Sequence, residues 1–175
     1  MFLVSTSVPD DKLILDKMRE FQLGLDRVPV VANGVAFASP ELLKTIGKEQ
    51  LEGLLVITAN WGVKGQEELI ERFKKRTGEP WFTQDSASSY GHVWILKEAL
   101  EQAKSTDREK VADAIRKLKL TSGPAATAFP GGVSFEPNGR RAGAVVLVIQ
   151  WQNGVPVTVY PQQFAFSKAN WPKGQ

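Results

Sequence analysis

Cysteine is absent from this chain and histidine occurs once, at His92. The first absence excludes disulfides, thiolate zinc sites and cysteine nucleophiles, though it does not fix the compartment. The two scarcities together leave no clustered ligands for a transition-metal site. A hydrolytic triad would have to use His92, yet no Gly-x-Ser-x-Gly elbow exists to pair with it, so a packing or helix-surface histidine is expected. Phosphate loops are missing too: Gly47-Lys48 lacks the upstream glycine, and no Gly-x-Gly-x-x-Gly turn occurs. No catalytic residue, metal or cofactor is therefore expected, and the chain reads as a binding module. No apolar run approaches the ~18 residues of a membrane span. The stretch Met1-Phe-Leu-Val-Ser-Thr-Ser has neither the basic start nor the long apolar core of a signal peptide, so none is expected. Massed charge is also lacking: a net charge of +3, at a pI of 9.2, is spread along the chain, and no nucleic-acid partner is expected.

What is present is an ordinary globular composition, 42% hydrophobic and 23% charged over 175 residues, enough for one domain or two small lobes with a real core. The organising stretch is Ala144 to Tyr160. An apolar, β-branched run to Trp151 reads as a strand covered on both faces, and Asn153-Gly154 supplies a tight turn. The second arm alternates Val155, Val157 and Val159 with Pro156 and Thr158, and the proline places it at a sheet edge.

Upstream, Phe2 to Thr6 reads as a strand and Pro9-Asp10-Asp11 as a helix start with a stripe of Ile14, Met18, Phe21 and Leu25. Val28 to Val31 and Leu54 to Ala59 read as further strands. Between them a helix opens at Ser39-Pro40-Glu41 and closes at Gly47, giving a parallel βαβαβ unit with right-handed crossovers. Helices are then expected over Lys64 to Arg76 and Asp85 to Ala103, the latter with Tyr90, Val93, Trp94, Leu96 and Leu100 on a broad buried stripe. Another follows a capping box of Thr106 and Glu109. Thr121 to Gly132 reads as loop and Val133 to Phe135 as a short strand. The fold class is α/β.

Few residues carry chemistry. Asp10-Asp11 suits a helix dipole better than a metal, and the same argument covers Arg72 to Arg76 in a last turn. Trp94 and Trp151 read as core. Trp61 follows a strand end, where α/β proteins place ligands, and is equally readable as core or as a stacking surface.

Seven stretches carry a resemblance. Ala32-Asn-Gly-Val-Ala-Phe37-Ala-Ser-Pro-Glu41 is followed by Gly53-Leu-Leu-Val, by Ser89-Tyr90-Gly91-His92-Val93 and by Glu98 to Ala103. Then come Thr106 to Asp113, Val133-Ser-Phe-Glu-Pro-Asn-Gly139-Arg140 and Val148-Ile-Gln-Trp151-Gln-Asn-Gly154. In this order and spacing the chain resembles the carboxy-terminal half of the extracytoplasmic solute-binding proteins of branched-chain amino acid ABC transporters.

The resemblance implies a type I periplasmic-binding-protein fold, a parallel sheet with flanking helices, incomplete relative to the family's two lobes and ending in the hairpin. Residues 1–60 would belong to the second lobe, 61–147 to the first, and 148–175 to the return crossing, hairpin and tail. It implies a small-molecule solute, a permease of the inner membrane as partner and a periplasmic location. Family ligand loops fall on Ser5 to Val8 and on Ala32 to Phe37, so Ser7, Asn33, Gly34, Phe37 and Trp61 are the expected ligand-binding residues. Branched-chain binders commonly place a tyrosine in the first loop and a carboxylate in the second to hold the ligand's ammonium; here stand Ser7 or Val8, and Asn33 or Gly34. A neutral amide forgoes a charge-assisted bond about twice as strong as a neutral one, which favours an organic or aromatic acid over an amino acid. The alternative is an independent small α/β sensor or enzyme working at Ser7 and Asn33. With the family's amino-terminal strands missing, the Val145 to Ile149 strand is expected to keep one bare edge, and the chain to pair with a second copy or a separate first half.

Overall fold

Three short parallel strands start the molecule, each ending at the same side of one sheet. In the computed structural model, which describes residues 2–4, 7–23 and 28–170, these are β1 (Phe2–Val4), β2 (Val31–Asn33) and β3 (Leu55–Thr58). Between β1 and β2 runs α1 (Val8–Glu20); between β2 and β3 run a 3-10 turn (Val35–Ala38), α2 (Pro40–Ile46) and α3 (Lys48–Leu51). Serine caps open both longer helices: Ser7 Oγ accepts from the Asp10 amide and Ser39 Oγ from the Leu42 amide. The expected βαβαβ order is present, with β2 three residues later than the apolar run Val28 to Val31 suggested. The buried stripe of α1 is Asp11, Leu15 and Met18. Phe21, expected to extend it, lies beyond the helix end and is exposed, and Leu25 falls outside the described residues.

The same sheet is completed by β6 (Leu147–Gln152) and β7 (Val155–Tyr160), in the order β1-β2-β3-β6-β7. Asn153 and Gly154, at φ 55° and 79°, make the hairpin turn between them. β6 runs antiparallel to β3, with Thr58 opposite Leu147 and Val56 opposite Ile149. This corrects the expectation of a bare edge: β3, which the reading from sequence left unpaired on that side, covers it. Leu147, Ile149 and Trp151 are fully buried, and β7 is the edge strand, as its proline requires. On one face of β7, Pro156 and Thr158 are buried opposite Trp151 and Ile149, while of the valines only Val159 is buried. Trp61 Nε1 donates to the Pro156 carbonyl at 3.1 Å and Thr158 Oγ1 to the Gly62 carbonyl at 2.7 Å, so the segment after β3 seals that face. On the other face the buried Gln150 carboxamide donates to the Gly53 and Asn170 carbonyls and accepts from the Asn170 amide and from Gln152 Nε2. Its hydrogen-bonding capacity is filled, which a buried amide requires.

The described residues fall into two compact units, one within Met1–Gln84 and Val146–Gln175, the other Asp85–Val145. The helix α4 (Glu67–Thr77), closed by a left-handed Gly78, belongs to the unit that holds the sheet. Its Ile70 packs against Gly62, and Trp81, after it, meets Trp151 edge-on with ring centroids 5.5 Å apart.

The second unit holds α5 (Gln84–Ala103, from its second residue), α6 (Arg108–Lys117), α7 (Gly123–Ala128) and a small ribbon. The ribbon pairs β4 (Lys119–Leu120) with β5 (Val133–Ser134). Two expectations shift here. The cap of α6 is Asp107, accepting from the Lys110 amide at 3.1 Å, and not Thr106. Thr121 to Gly132 is not all loop, because its alanines let α7 pack tightly, with Ala125 and Ala128 buried. Ile95, Ala99, Val111, Phe129 and Val133 share the core. Gly91 lets α5 approach α7: a Cβ there would lie 2.4 Å from Phe129 Cε2.

Candidate functional site

Strand order decides where a cleft forms. β2 and β3 end side by side, and the chain leaves them in different directions, into the 3-10 turn and into the loop before Trp61. A cavity of about 450 Å³ opens there, lined by Asn33, Gly34, Val35 and Ala36 from the first exit and Ile57, Thr58 and Ala59 from the second, with Gln84 and Val146. Its position, outside the carboxyl ends of parallel strands, is where open α/β sheets bind ligands.

Local hydrogen bonding fixes its floor. Gln84 Oε1 accepts from the Ala59 amide at 2.9 Å, so the oxygen of this carboxamide points at the loop. Thr58 Oγ1 stands 2.7 Å from the same oxygen and 2.8 Å from the Asn60 carbonyl, and its single proton serves one of them at a time. Asn60 Oδ1 accepts from the Trp61 amide at 3.0 Å, continuing the set. Gln84 Nε2 forms no hydrogen bond among the described residues and is available as a donor. Asn33, the last residue of β2, is exposed at the rim. Gly34, at φ 142°, makes the turn that carries Val35 and Ala36 along the wall.

Among the described residues, no lining side chain is charged or titratable. They offer neutral amides, one hydroxyl and small apolar surfaces, and no carboxylate to pair with an ammonium. Such a lining binds by shape and hydrogen bonding.

Of the residues expected from sequence, Asn33 and Gly34 line this cleft. Ser7 does not: it caps α1, and its hydroxyl lies 2.6 Å from Asp10 Oδ2 as donor. Ser5 and Thr6, in the same expected loop, fall outside the described residues. Phe37, expected as an aromatic face, is 0% exposed; its ring is in the core and its carbonyl accepts from Trp151 Nε1. Trp61 is 2% exposed and faces β7, where it borders a separate groove of about 210 Å³ with Glu67, Glu71, Trp81 and Phe166. Thr58, Ala59, Gln84 and Val146 were not anticipated. The strand-end rule that drew attention to Trp61 applies with more force to Thr58, the last residue of β3. Nothing in the sequence marks Gln84, since its role comes from where a helix start meets a strand end. His92 is exposed on α5, in the second unit, with its ring 5.5 Å from Phe129.

Comparison with known proteins follows the same lines. The family model described as periplasmic binding protein matches residues 2–155. The Leu/Ile/Val-binding protein homolog 7 of Brucella suis biovar 1 is 32% identical over 109 residues, covering 62% of this chain and 27% of its own. Homolog 8 of Brucella melitensis biotype 1 is 22% identical over 98% of this chain and 43% of its own. Among solved structures, a leucine binding protein from Thermotoga maritima MSB8 aligns with a TM-score of 0.67 at 26% identity, covering 90% of this chain and 42% of that one. The chain thus spans less than half the length of the relatives it matches, and those relatives are binding proteins.

Proposed function

The chain belongs to the periplasmic binding protein family, and on that premise we propose that it is the solute-binding part of an ABC transporter of the branched-chain amino acid type. Its fold is that of type I periplasmic binding proteins, covered in part. In this reading the sheet unit belongs to the family's second lobe and the helical unit 85–145 to its first, joined to a permease of the inner membrane as partner. The family implies a periplasmic location. The ligand is a small organic or aromatic acid in preference to an amino acid, held by Asn33, Gly34, Thr58 and Gln84.

One observation carries the preference: among the described residues, the cleft at the ends of β2 and β3 has no charged lining side chain. A carboxylate is satisfied by neutral N–H donors such as those of Asn33 and Gln84, whereas an ammonium leaves water for carbonyl and amide oxygens alone. Bonds from neutral donors to a carboxylate are charge-assisted, and the described lining has no carboxylate to form an ion pair with an ammonium. Calorimetry of the chain against aliphatic and aromatic carboxylates, with leucine and valine alongside, tests this. Heat from the acids and none from the amino acids is expected; the reverse order contradicts it.

A further inference from the structure

The two carboxamides of the cleft differ in freedom. Asn33 is exposed at the end of β2 and its side chain forms no hydrogen bond among the described residues, so either of its ends can turn to a ligand. Gln84 cannot turn in this way. Its Oε1 accepts from the Ala59 amide at 2.9 Å, and a backbone N–H only donates. Exchanging the two ends of the carboxamide would set N–H against N–H at that distance and leave the Ala59 donor unsatisfied. Thr58 Oγ1, on a residue 4% exposed, stands 2.7 Å from the same oxygen and brings it a second donor. A carboxamide oxygen has two lone pairs, and both are then taken. What Gln84 has left for a ligand is the pair of protons on Nε2.

The polarity of Gln84 is thus set by the backbone at the end of β3, before any ligand arrives. The remaining walls suit a ligand that needs only a donor at one end. Val35, Ala36, Ile57 and Val146 offer apolar contact, and no described lining side chain is charged.

We propose that Gln84 sets ligand polarity in this cleft, receiving a proton-free oxygen, that of a carboxylate, on Nε2 and rejecting an amine there, and that Thr58 is its positioning residue, acting through Oε1. The proposal rests on the reading of the strand-end cleft as the solute site. It adds the residue that discriminates and the interaction that holds it in place: Asn33 adapts to either kind of group, and Gln84 does not.

Phenylacetate and phenethylamine present a similar ring with opposite charges, and calorimetry at neutral pH compares them. The parent chain binds the carboxylate in preference to the amine. Gln84→Glu keeps one oxygen for Ala59 and Thr58 and exchanges only Nε2, for an acceptor, and a carboxylate in the first turn of α5 suits the helix. That variant loses affinity for phenylacetate by more than about tenfold, as the loss of a charge-assisted bond requires, and binds the amine more tightly than the parent does. Thr58→Val weakens phenylacetate binding less, because the Ala59 bond remains, and Thr58→Ser restores it. Hydrogen exchange at the Ala59 amide reads the orientation with no ligand present: slow in the parent and in Gln84→Glu, fast in Gln84→Ala. Phenylacetate binding that Gln84→Glu leaves unchanged overturns the proposal and leaves the cleft reading standing. A parent chain that binds no carboxylate, or prefers the amine, overturns both. An Ala59 amide that exchanges as fast in the parent as in Gln84→Ala removes the fixed orientation and the proposal with it.

Discussion

Trp151 Nε1 donates a 2.8 Å hydrogen bond to the Phe37 carbonyl, fastening the central antiparallel strand to the turn that walls the cleft. Both residues are fully buried, and Val35 and Ala36 on the same turn line the cavity. Trp151→Phe keeps part of the edge-on contact with Trp81 but strands that carbonyl, and is expected to cost about 1–3 kcal/mol. Trp151→Ala removes the ring as well and is expected to cost about 3–5 kcal/mol. Urea midpoints followed by circular dichroism give both; a neutral Trp151→Phe contradicts the role assigned to the bond.

Gly91 is the second structural test. Alanine there gains about 1 kcal/mol of helix propensity, but its Cβ would stand 2.4 Å from Phe129 Cε2 and 2.9 Å from Ala128 Cβ. Overpacking of this kind costs about 1–3 kcal/mol, so Gly91→Ala lowers the melting temperature. Phe129→Leu in the same chain should return part of the loss. A stabilising Gly91→Ala would mean that α5 and α7 are not so closely packed.

Acid dependence has a specific contributor in Asp16. The hydrogen bond from Lys12 is the largest influence on its carboxyl, burial works against it, and Gln50 and Arg19 add to Lys12; the net effect holds the group below its ordinary value. A depressed folded pKa means stability that is present above the unfolded carboxylate value, near 3.9, and is lost as pH falls through the lower folded one. The contribution is that of a surface pair, under about 1 kcal/mol. The stability gap between the parent and Asp16→Asn should be open at neutral pH and closed well below that carboxylate value. A gap that persists in acid would locate the effect elsewhere.

Much of this fold is legible in the residues themselves. Asn153-Gly154 announces the hairpin, Pro156 the edge, and serine caps the first helices, because each depends on local backbone chemistry. Parity and partnership are not local. Val155, Val157 and Val159 look like the inward face of β7, yet only Val159 of them is buried, and Trp61 and Gly62, some ninety residues upstream, cover Pro156 and Thr158. The cleft divides in the same way. Asn33-Gly34 could be found as a turn after a strand. Val146 reaches the site only because β3 and β6 pair, Gln84 because a helix start meets the end of β3, and Phe37 leaves it because Trp151 draws its turn into the core.

Ligand preference follows from Asn33. Asn33→Asp places at the rim the negative charge the cleft lacks. It should raise the affinity for leucine relative to a matched carboxylic acid by roughly tenfold, the value of one charge-assisted bond over a neutral one. Competition calorimetry reads the ratio; an unchanged ratio removes Asn33 from the ligand contacts.

The central claim, that the strand-end cleft is where this chain meets solute, is tested most directly by amide NMR shifts during titration with an aromatic carboxylate. Saturable shifts at Gly34, Val35, Ala36 and Ala59, together with the side-chain amide of Gln84, are the predicted result. Shifts confined to other surfaces, such as the groove beside Trp61 and Phe166, or none at millimolar ligand, would contradict it.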